Sequence, residues 1–159
     1  MECSYRFRLY PAKEQEERIV RNFGCRRFVF NHFLAQRKER YEKTGESPTR
    51  FEQDKELTEL KKELPWLKEA DSTSLQSALQ DLDAAYKHFF RRARQGKKPG
   101  YPKFKSRRGS RQSYKSKCVG TNIKVLDKAI QLPKLGEVKC RVSRKPEGRI
   151  LSATVSRDP

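Results

Sequence analysis

The apolar positions of this chain follow two different periods, and the changes of period divide the sequence. Residues 3–10 alternate between apolar and basic side chains, which predicts a half-buried strand that ends at Pro11. From residue 12 to about residue 95 the apolar spacing is that of amphipathic helices. Beyond residue 112 a period of two returns and predicts a series of short strands.

The helical stretch predicts four helices. Residues 12–43 are typical of two helices, or of one kinked helix, with the break at Gly24, because glycine weakens a helix interior. Residues 51–64 form the third helix, which Pro65 ends.

The fourth helix is predicted to begin near Asp71 and to end at Gly96. Thr73 and Gln76 have the spacing of a capping box, although Asp71 or Ser72 would also serve as the cap. The last turn is rich in arginine, which suits the negative pole at the C-terminal end of a helix.

Five short strands are predicted near the C-terminus, over residues 112–119, 122–125, 129–132, 137–143 and 150–157. Asp127-Lys128 and Pro146-Glu147-Gly148 are typical of hairpin turns, and Asp158-Pro159 of the start of another turn. Because the first strand cannot stand alone, we expect it to pair with these later strands. The sequence therefore predicts an α+β fold, in which a small antiparallel β-barrel (OB-like) is interrupted by a four-helix insertion.

The charge of the chain changes this picture by pointing to a partner. The 159 residues carry a formal net charge of +18, and the stretch from Gly96 to Lys117 has nine Lys or Arg and no acid. Cations neutralise phosphates, and aromatic side chains spaced among them offer bases a stacking surface. Nucleic acid is the predicted partner, while a flexible, merely solubilising linker stays open as the alternative.

No catalytic or metal-binding set is recognised in the sequence. His32 and His88 lie in helical segments and are predicted to be packed or surface residues rather than bases. The four cysteines are scattered without a CxxC pair, so reduced thiols are expected rather than a metal site. Neither a membrane-spanning apolar stretch nor a signal peptide is recognised, which predicts a cytoplasmic, nucleoid-associated protein that binds no membrane.

Three segments are distinctive in combination: RFVFNHFL, SLQSALQDLDAAYKHFF and PGYPKFKSRR. With the sequence around them, they resemble the N-terminal half of the OrfB/TnpB family of insertion-sequence proteins. These are compact RNA-guided DNA nucleases related to type V CRISPR effectors. The resemblance covers nearly the whole chain and implies four parts: residues 1–10 as the first strand of a wedge barrel, 11–95 as a helical recognition domain, 96–111 as a basic linker and 112–159 as the rest of the barrel.

The resemblance also implies a function and its limits. In the family the barrel holds a guide RNA, and the protein reads a short AT-rich motif beside double-stranded target DNA. A RuvC-like nuclease domain with metal-binding carboxylates and a zinc element follows this region in the family, and neither is present here. We therefore expect the chain to bind without cutting, to need no cofactor and to dock a separate nuclease half; whether it is an engineered fragment, part of a split protein or a natural remnant stays open.

Four groups of residues are predicted to contact nucleic acid. The resemblance implies a DNA-motif group of Arg50, Ser72, Thr73, Gln76, Ser77 and Gln80, with the alternative that Thr73 and Gln76 only cap the helix. The backbone group is Lys97, Lys98, Lys103, Lys105, Arg107, Arg108 and Arg111. The RNA-scaffold group is Arg6, Arg8, Lys139, Arg141 and Arg144. Tyr101 and Phe104 either stack on bases or anchor their loop.

Two other hypotheses compete with this function. One is a stand-alone DNA-binding regulator that uses the first two predicted helices as a helix-turn-helix. The other is a protein-interaction module with an exposed apolar patch.

Overall fold

The computed structural model describes residues 2–109 and 111–157 and has the predicted α+β composition. Its helices are α1 (Lys13–Thr44), α2 (Arg50–Glu63), a 3₁₀ helix (Pro65–Glu69) and α3 (Ser72–Arg94). Its strands are β1 (Arg8–Leu9), β2 (Ser113–Lys117), β3 (Lys124–Val125), β4 (Ala129–Leu132), β5 (Gly136–Arg141) and β6 (Ser152–Ser156). The turn predicted at Asp158-Pro159 lies outside the described residues.

Helix α1 runs through Gly24 without interruption, so the prediction of four helices is wrong for the described residues, which form three α-helices. Phe23 and Cys25 on either side of the glycine are both buried. Their burial outweighs the intrinsic cost of a glycine in a helix, which is about 1 kcal/mol. The helix ends instead at Gly45, whose φ of 74° is the left-handed conformation that glycine adopts at helix ends.

The starts of α2 and α3 are fixed by different side-chain contacts. Thr49 and Glu52 form a reciprocal capping box, in which each side chain accepts a hydrogen bond from the other residue's backbone N–H. At α3 no such box forms between Thr73 and Gln76, because the Thr73 hydroxyl donates to the Asp71 carboxylate. The same hydroxyl accepts a hydrogen bond of 3.1 Å from the backbone N–H of Lys117, which ties the end of β2 to the start of α3.

The strands form two antiparallel sheets. One has the order β1-β5-β4-β3, and the other consists of β2 and β6. Leu9 in β1 lies opposite Cys140 in β5, so the first strand does pair with the later strands, as predicted. The bends at Asp127 and Lys128 join β3 to β4, also as predicted.

Within the described residues the two sheets do not close into the predicted barrel. Strands β1 and β3 have only two residues each, and β2 lies against α3, so neither sheet is extended to meet the other. A groove of about 1700 Å³ remains between β1, α1 and the segment 144–157, and Leu9, Ile19 and Val125 are among the side chains that line it.

Helix α1 contributes to both of the hydrophobic cores. Ile19 and Phe23 pack beneath the two sheets, where the Phe23 ring lies 5.6 Å from the ring of Tyr114. The following turns, from Cys25 to Leu34, pack against α2, the 3₁₀ helix and α3. The boundary between the two cores falls at Gly24.

Gly24→Ala is expected to raise the free energy of unfolding by about 0.5–1 kcal/mol, because alanine is the better helix former. A Cβ at this position would lie 3.8 Å from the Arg27 guanidinium, which is an ordinary contact. Urea unfolding of the two proteins measures the difference. An unchanged or lower stability would mean that α1 needs a hinge at Gly24.

Candidate nucleic-acid interface

The basic strip, residues 96–111, is attached to α3 through Tyr101. The Tyr101 hydroxyl lies 3.0 Å from that of Tyr86, and its ring packs edge-on at 5.1 Å against Phe89. Burial, together with the hydrogen bond to Tyr101, raises the pKa of Tyr86, so this hydroxyl keeps its proton at neutral pH.

A second attachment joins the basic strip to α1. The Asn31 side-chain amide donates to the Lys105 carbonyl at 2.8 Å, and its oxygen accepts from the Lys105 backbone N–H at 2.7 Å. The Lys105 ammonium lies 4.8 Å from the centroid of the Phe30 ring. Burial, and then the nearby Arg26, lower the pKa of Lys105. Lys105 therefore packs against α1, and its predicted contact with phosphate stays a prediction.

The end of the basic strip is closed by a turn. The Ser106 hydroxyl accepts a hydrogen bond of 2.7 Å from the Gly109 N–H, and the Gln112 side chain donates to the Arg107 carbonyl at 3.0 Å. The basic strip is thus attached to the helices at Tyr101 and Lys105, and these bonds fold its end into a turn. The remaining members of the predicted backbone group are all exposed: Lys97, Lys98, Lys103, Arg107, Arg108 and Arg111.

The two predicted stacking residues differ in their surroundings. Tyr101 is anchored as described, whereas the Phe104 ring is 53% exposed. The Lys38 ammonium of α1 lies 5.9 Å from the centroid of each ring, and sequence analysis did not single it out. The arrangement leaves Phe104 as the more accessible stacking surface.

Four of the predicted DNA-motif residues lie in the first three turns of α3 and reach its surface. Ser72 and Gln76 are exposed, and Thr73 and Gln80 are partly so. Ser77 is 2% exposed, and the structure does not bring it to this surface.

Arg50 lies in the first turn of α2, with its guanidinium 3.8 Å from the Asp54 carboxylate. Burial raises the pKa of the Asp54 carboxyl, and the neighbouring cations Arg50 and Lys117 act against this shift. The backbone N–H of Lys117 donates to the Thr73 hydroxyl, so Lys117 lies beside the start of α3. Lys117 belongs to this surface, although only its position in the basic stretch could have suggested it.

Three of the predicted RNA-scaffold residues, Arg8, Lys139 and Arg141, share one face of the four-stranded sheet, which we call the RNA-scaffold face. Arg8 lies directly opposite Arg141, and Lys139 is on the same side of β5 because side chains alternate along a strand. Arg144 lies in the loop after β5, with its guanidinium 5.6 Å from the Tyr5 ring centroid. Arg6 is exposed and precedes Arg8 by two positions, which is the spacing of one strand face.

The remaining polar candidates show no catalytic arrangement among the described residues. His88 lies 2.7 Å from an Arg91 nitrogen on α3, and His32 stacks on Phe28, so both are helix-surface residues as predicted. The four cysteines are unpaired. In residues 2–109 and 111–157 no three His, Cys, Asp or Glu side chains group as metal ligands, and no helix has the length and apolarity needed to span a bilayer.

Comparison with known proteins identifies the family. A family model described as a helix-turn-helix domain, HTH_OrfB_IS605, matches residues 1–46. "Putative RNA-guided DNA endonuclease InsQ" of Escherichia coli (strain K12) is 36% identical over 155 residues, which are 96% of this chain and 37% of that protein. "Virulence protein VsdF" of Salmonella dublin is 33% identical over 110 residues, which are 64% of this chain and 90% of VsdF. The chain belongs to the OrfB/TnpB family.

The chain matches only part of the length of its endonuclease relatives. A Streptomyces pristinaespiralis protein with the same endonuclease description as InsQ is 37% identical over 112 residues, or 69% of this chain. The chain spans 37% of the length of InsQ and 27% of the Streptomyces protein.

The matched region does not contain a pair of helices. Residues 1–46, which match the helix-turn-helix model, include β1 and all of α1. A helix-turn-helix needs two helices joined by a short turn, and α1 is one continuous helix. In this structure one helix therefore replaces the two predicted helices, and the stand-alone DNA-binding regulator stays a hypothesis.

Asn31→Ala is expected to release the basic strip from α1, since it removes both hydrogen bonds to Lys105. The removal of two hydrogen bonds corresponds to about 1–3 kcal/mol of local stability. Limited trypsin digestion should then cut faster between Lys103 and Arg108. Glu39→Ala, an exposed change on the same helix, should leave the cleavage rate unchanged; equal rates in both variants would show that Asn31 does not hold the basic strip.

Proposed function

We propose that this chain is the guide-RNA- and target-DNA-binding part of a TnpB-like RNA-guided DNA endonuclease, and that it binds without cutting. The basic strip and the RNA-scaffold face contact phosphates. The starts of α2 and α3 contact the short motif beside the target. Guide RNA, double-stranded target DNA and a separate nuclease half are its proposed partners, and the cytoplasm its proposed location.

The observation that carries this proposal is the attachment of the basic strip. A freely solvated linker would make no such contacts, whereas here the backbone of Lys105 is bonded to Asn31 and the Tyr101 hydroxyl lies beside that of Tyr86. Here the anchoring residues are packed, and six cations remain exposed: Lys97, Lys98, Lys103, Arg107, Arg108 and Arg111. A fixed row of cations that lacks interspersed acids matches a phosphate backbone.

The distribution of charge along the chain also supports phosphate contact by the basic strip and the sheets. Residues 96–159 contain 18 of the 38 Lys and Arg but only 4 of the 20 acids, a formal charge of +14. Residues 1–95 carry the remaining +4 of the net +18. Several acids of the helical part pair with cations of a neighbouring helix, as in Arg37–Asp83 at 3.2 Å and Arg40–Glu52 at 3.2 Å. The positive field is therefore concentrated in the basic strip and the sheets.

The first test replaces Lys103, Arg107 and Arg108 by Gln and measures RNA binding across a salt series. The probe is the transcript of an insertion-sequence end, with duplex DNA of the same length as competitor. If the three cations contact phosphates, the slope of log affinity against log salt should become less steep by about 2, at roughly 0.7 per contact on a single strand. Preference for the RNA near 200 mM salt is expected for the unchanged protein.

The control replaces Lys43, Lys55 and Lys62, which are exposed on α1 and α2, by Gln. Both variants have a net charge three units below the +18 of the chain. If the two triple variants change the slope equally, the basic strip has no special role.

The second test concerns the start of α3. Gln76→Ala with Gln80→Ala is expected to reduce discrimination among target-adjacent motifs by about 1–3 kcal/mol for each base that the glutamines no longer bind, with RNA affinity unchanged. Binding of the protein–RNA complex to duplexes with a randomised flank measures this. Gln95→Ala, at the other end of the helix, is the matched control. Equal weakening on every flank sequence would contradict motif contact.

A further inference from the structure

A pocket of about 610 Å³ lies between α1 and the 3₁₀ helix. One stripe of α1 forms its floor, since Arg21, Gly24, Phe28 and His32 follow one another at helical spacing. Trp66 of the 3₁₀ helix forms the opposite wall. Pockets of this size hold small organic groups.

Gly24 opens the floor of this pocket. It is helical and lacks a side chain, and the nearest atom to a Cβ built there is an Arg27 nitrogen at 3.8 Å. A longer side chain would project into the space between Phe28 and Arg21. The glycine that weakens α1 thus creates a notch in the pocket floor.

Aromatic rings line the notch. Phe28 and Trp66 meet edge-on at 5.0 Å, and Phe28 stacks against His32 at 5.7 Å with an interplanar angle of 25°. Trp66, the one tryptophan of the chain, is 44% exposed. Partly exposed aromatic faces are the surfaces on which unpaired bases stack.

The charges around the pocket favour a ligand that places a neutral group in the pocket and an anionic group beside it. Arg21 and Arg27 line it, and Glu69 lies 4.0 Å from Arg21, which leaves a formal charge of +1. Burial and the nearby Glu69 raise the pKa of Cys25 to about 11, so its thiol is neutral and apolar at pH 7. Asn31 lines the same pocket and holds Lys105, so the pocket adjoins the basic strip.

We propose that this pocket holds one unpaired base of a single-stranded nucleic acid whose phosphates continue along the basic strip. The base stacks against Trp66 and Phe28, and Arg27 faces the adjoining phosphate. Bases in a duplex are stacked on their neighbours and cannot enter, so the site distinguishes single strands from duplexes. The proposal rests on the proposed function to the extent that the basic strip must hold the strand.

Trp66 makes the test specific, because all tryptophan fluorescence of this chain comes from the pocket wall. Three probes are compared: an eight-nucleotide single strand, the same strand with abasic sites throughout, and a duplex of equal length. Each is used as RNA and as DNA, except that the abasic strand is DNA. A dye on each probe reports binding by anisotropy, independently of Trp66.

We expect the base-bearing strands to quench the fluorescence of Trp66 over the same range of protein and strand concentrations in which the anisotropy changes. The abasic strand and the duplexes should bind without quenching, and the abasic strand about tenfold more weakly, which is the effect of losing one stacked base. Quenching by RNA alone or DNA alone would assign the base to that strand. Quenching by the abasic strand, or binding of every probe with unchanged fluorescence, would overturn the proposal that the pocket holds a base. Either result would leave the proposed function standing.

Two variants test the pocket itself. Gly24→Met introduces a good helix former and fills the notch, so the base-bearing strand should bind about as weakly as the abasic one. Arg27→Gln should weaken the binding of base-bearing strands. Lys13→Gln, 14 positions away on the same helix, should weaken it less. Circular dichroism verifies that each variant is folded. Unchanged quenching in both pocket variants would refute the proposal, and failure of every probe to bind would overturn both proposals.

Discussion

The fold depends on one constraint: α1 must stay a single straight-through helix, because it belongs to two cores. Ile19 and Phe23 pack under the sheets, and Val29 and Phe33 pack among the helices. Neither core is large, since apolar residues make up 34% of the chain. A rigid helix shared by both cores fixes the sheets relative to the helices without a separate interface.

The buried polar contacts of the helical part reinforce this arrangement. Arg37 of α1, 4% exposed, donates to Gln53 of α2 at 2.8 Å and to Asp83 of α3 at 3.2 Å. Burial alone would raise the pKa of Asp83, but hydrogen bonds from Lys87 and Arg37 outweigh it and lower the pKa. One guanidinium thus joins all three α-helices, and a buried charge of this kind costs free energy unless its partners are in place. Two of these helices, α1 and α3, also carry the attachments of the basic strip.

How much of this could be predicted from the sequence depends on which contacts decide each feature. The pairing of β1 with the later strands followed from alternation, because a single half-buried strand needs a neighbour. Gly24 misled the helix prediction, because local propensity cannot register that Phe23 and Cys25 are buried in different cores. Barrel closure depends on long-range packing of very short strands, and two-residue strands give almost no periodic signal.

The candidate site divides in the same way. The cations of the basic strip are visible in the sequence, but which of them packs inward depends on the distant Asn31, 74 positions from Lys105. The family resemblance implies DNA contact for Ser77 as well as Gln76, yet consecutive residues on a helix point in different directions, and Ser77 is buried. Trp66 and Gly24 are 42 positions apart, so their shared pocket is invisible to any local pattern.

The placement of the surfaces on α1 has a consequence for binding. Asn31 holds the basic strip from one part of this helix, and Gly24 opens the pocket two turns earlier on the same helix. A strand bound by both would be positioned by one rigid element, so that little ordering entropy is lost in bringing the two contacts together. The RNA-scaffold face belongs to the sheet that packs on the N-terminal half of α1. The helix that unites the cores therefore also sets the spacing of the surfaces proposed to bind nucleic acid.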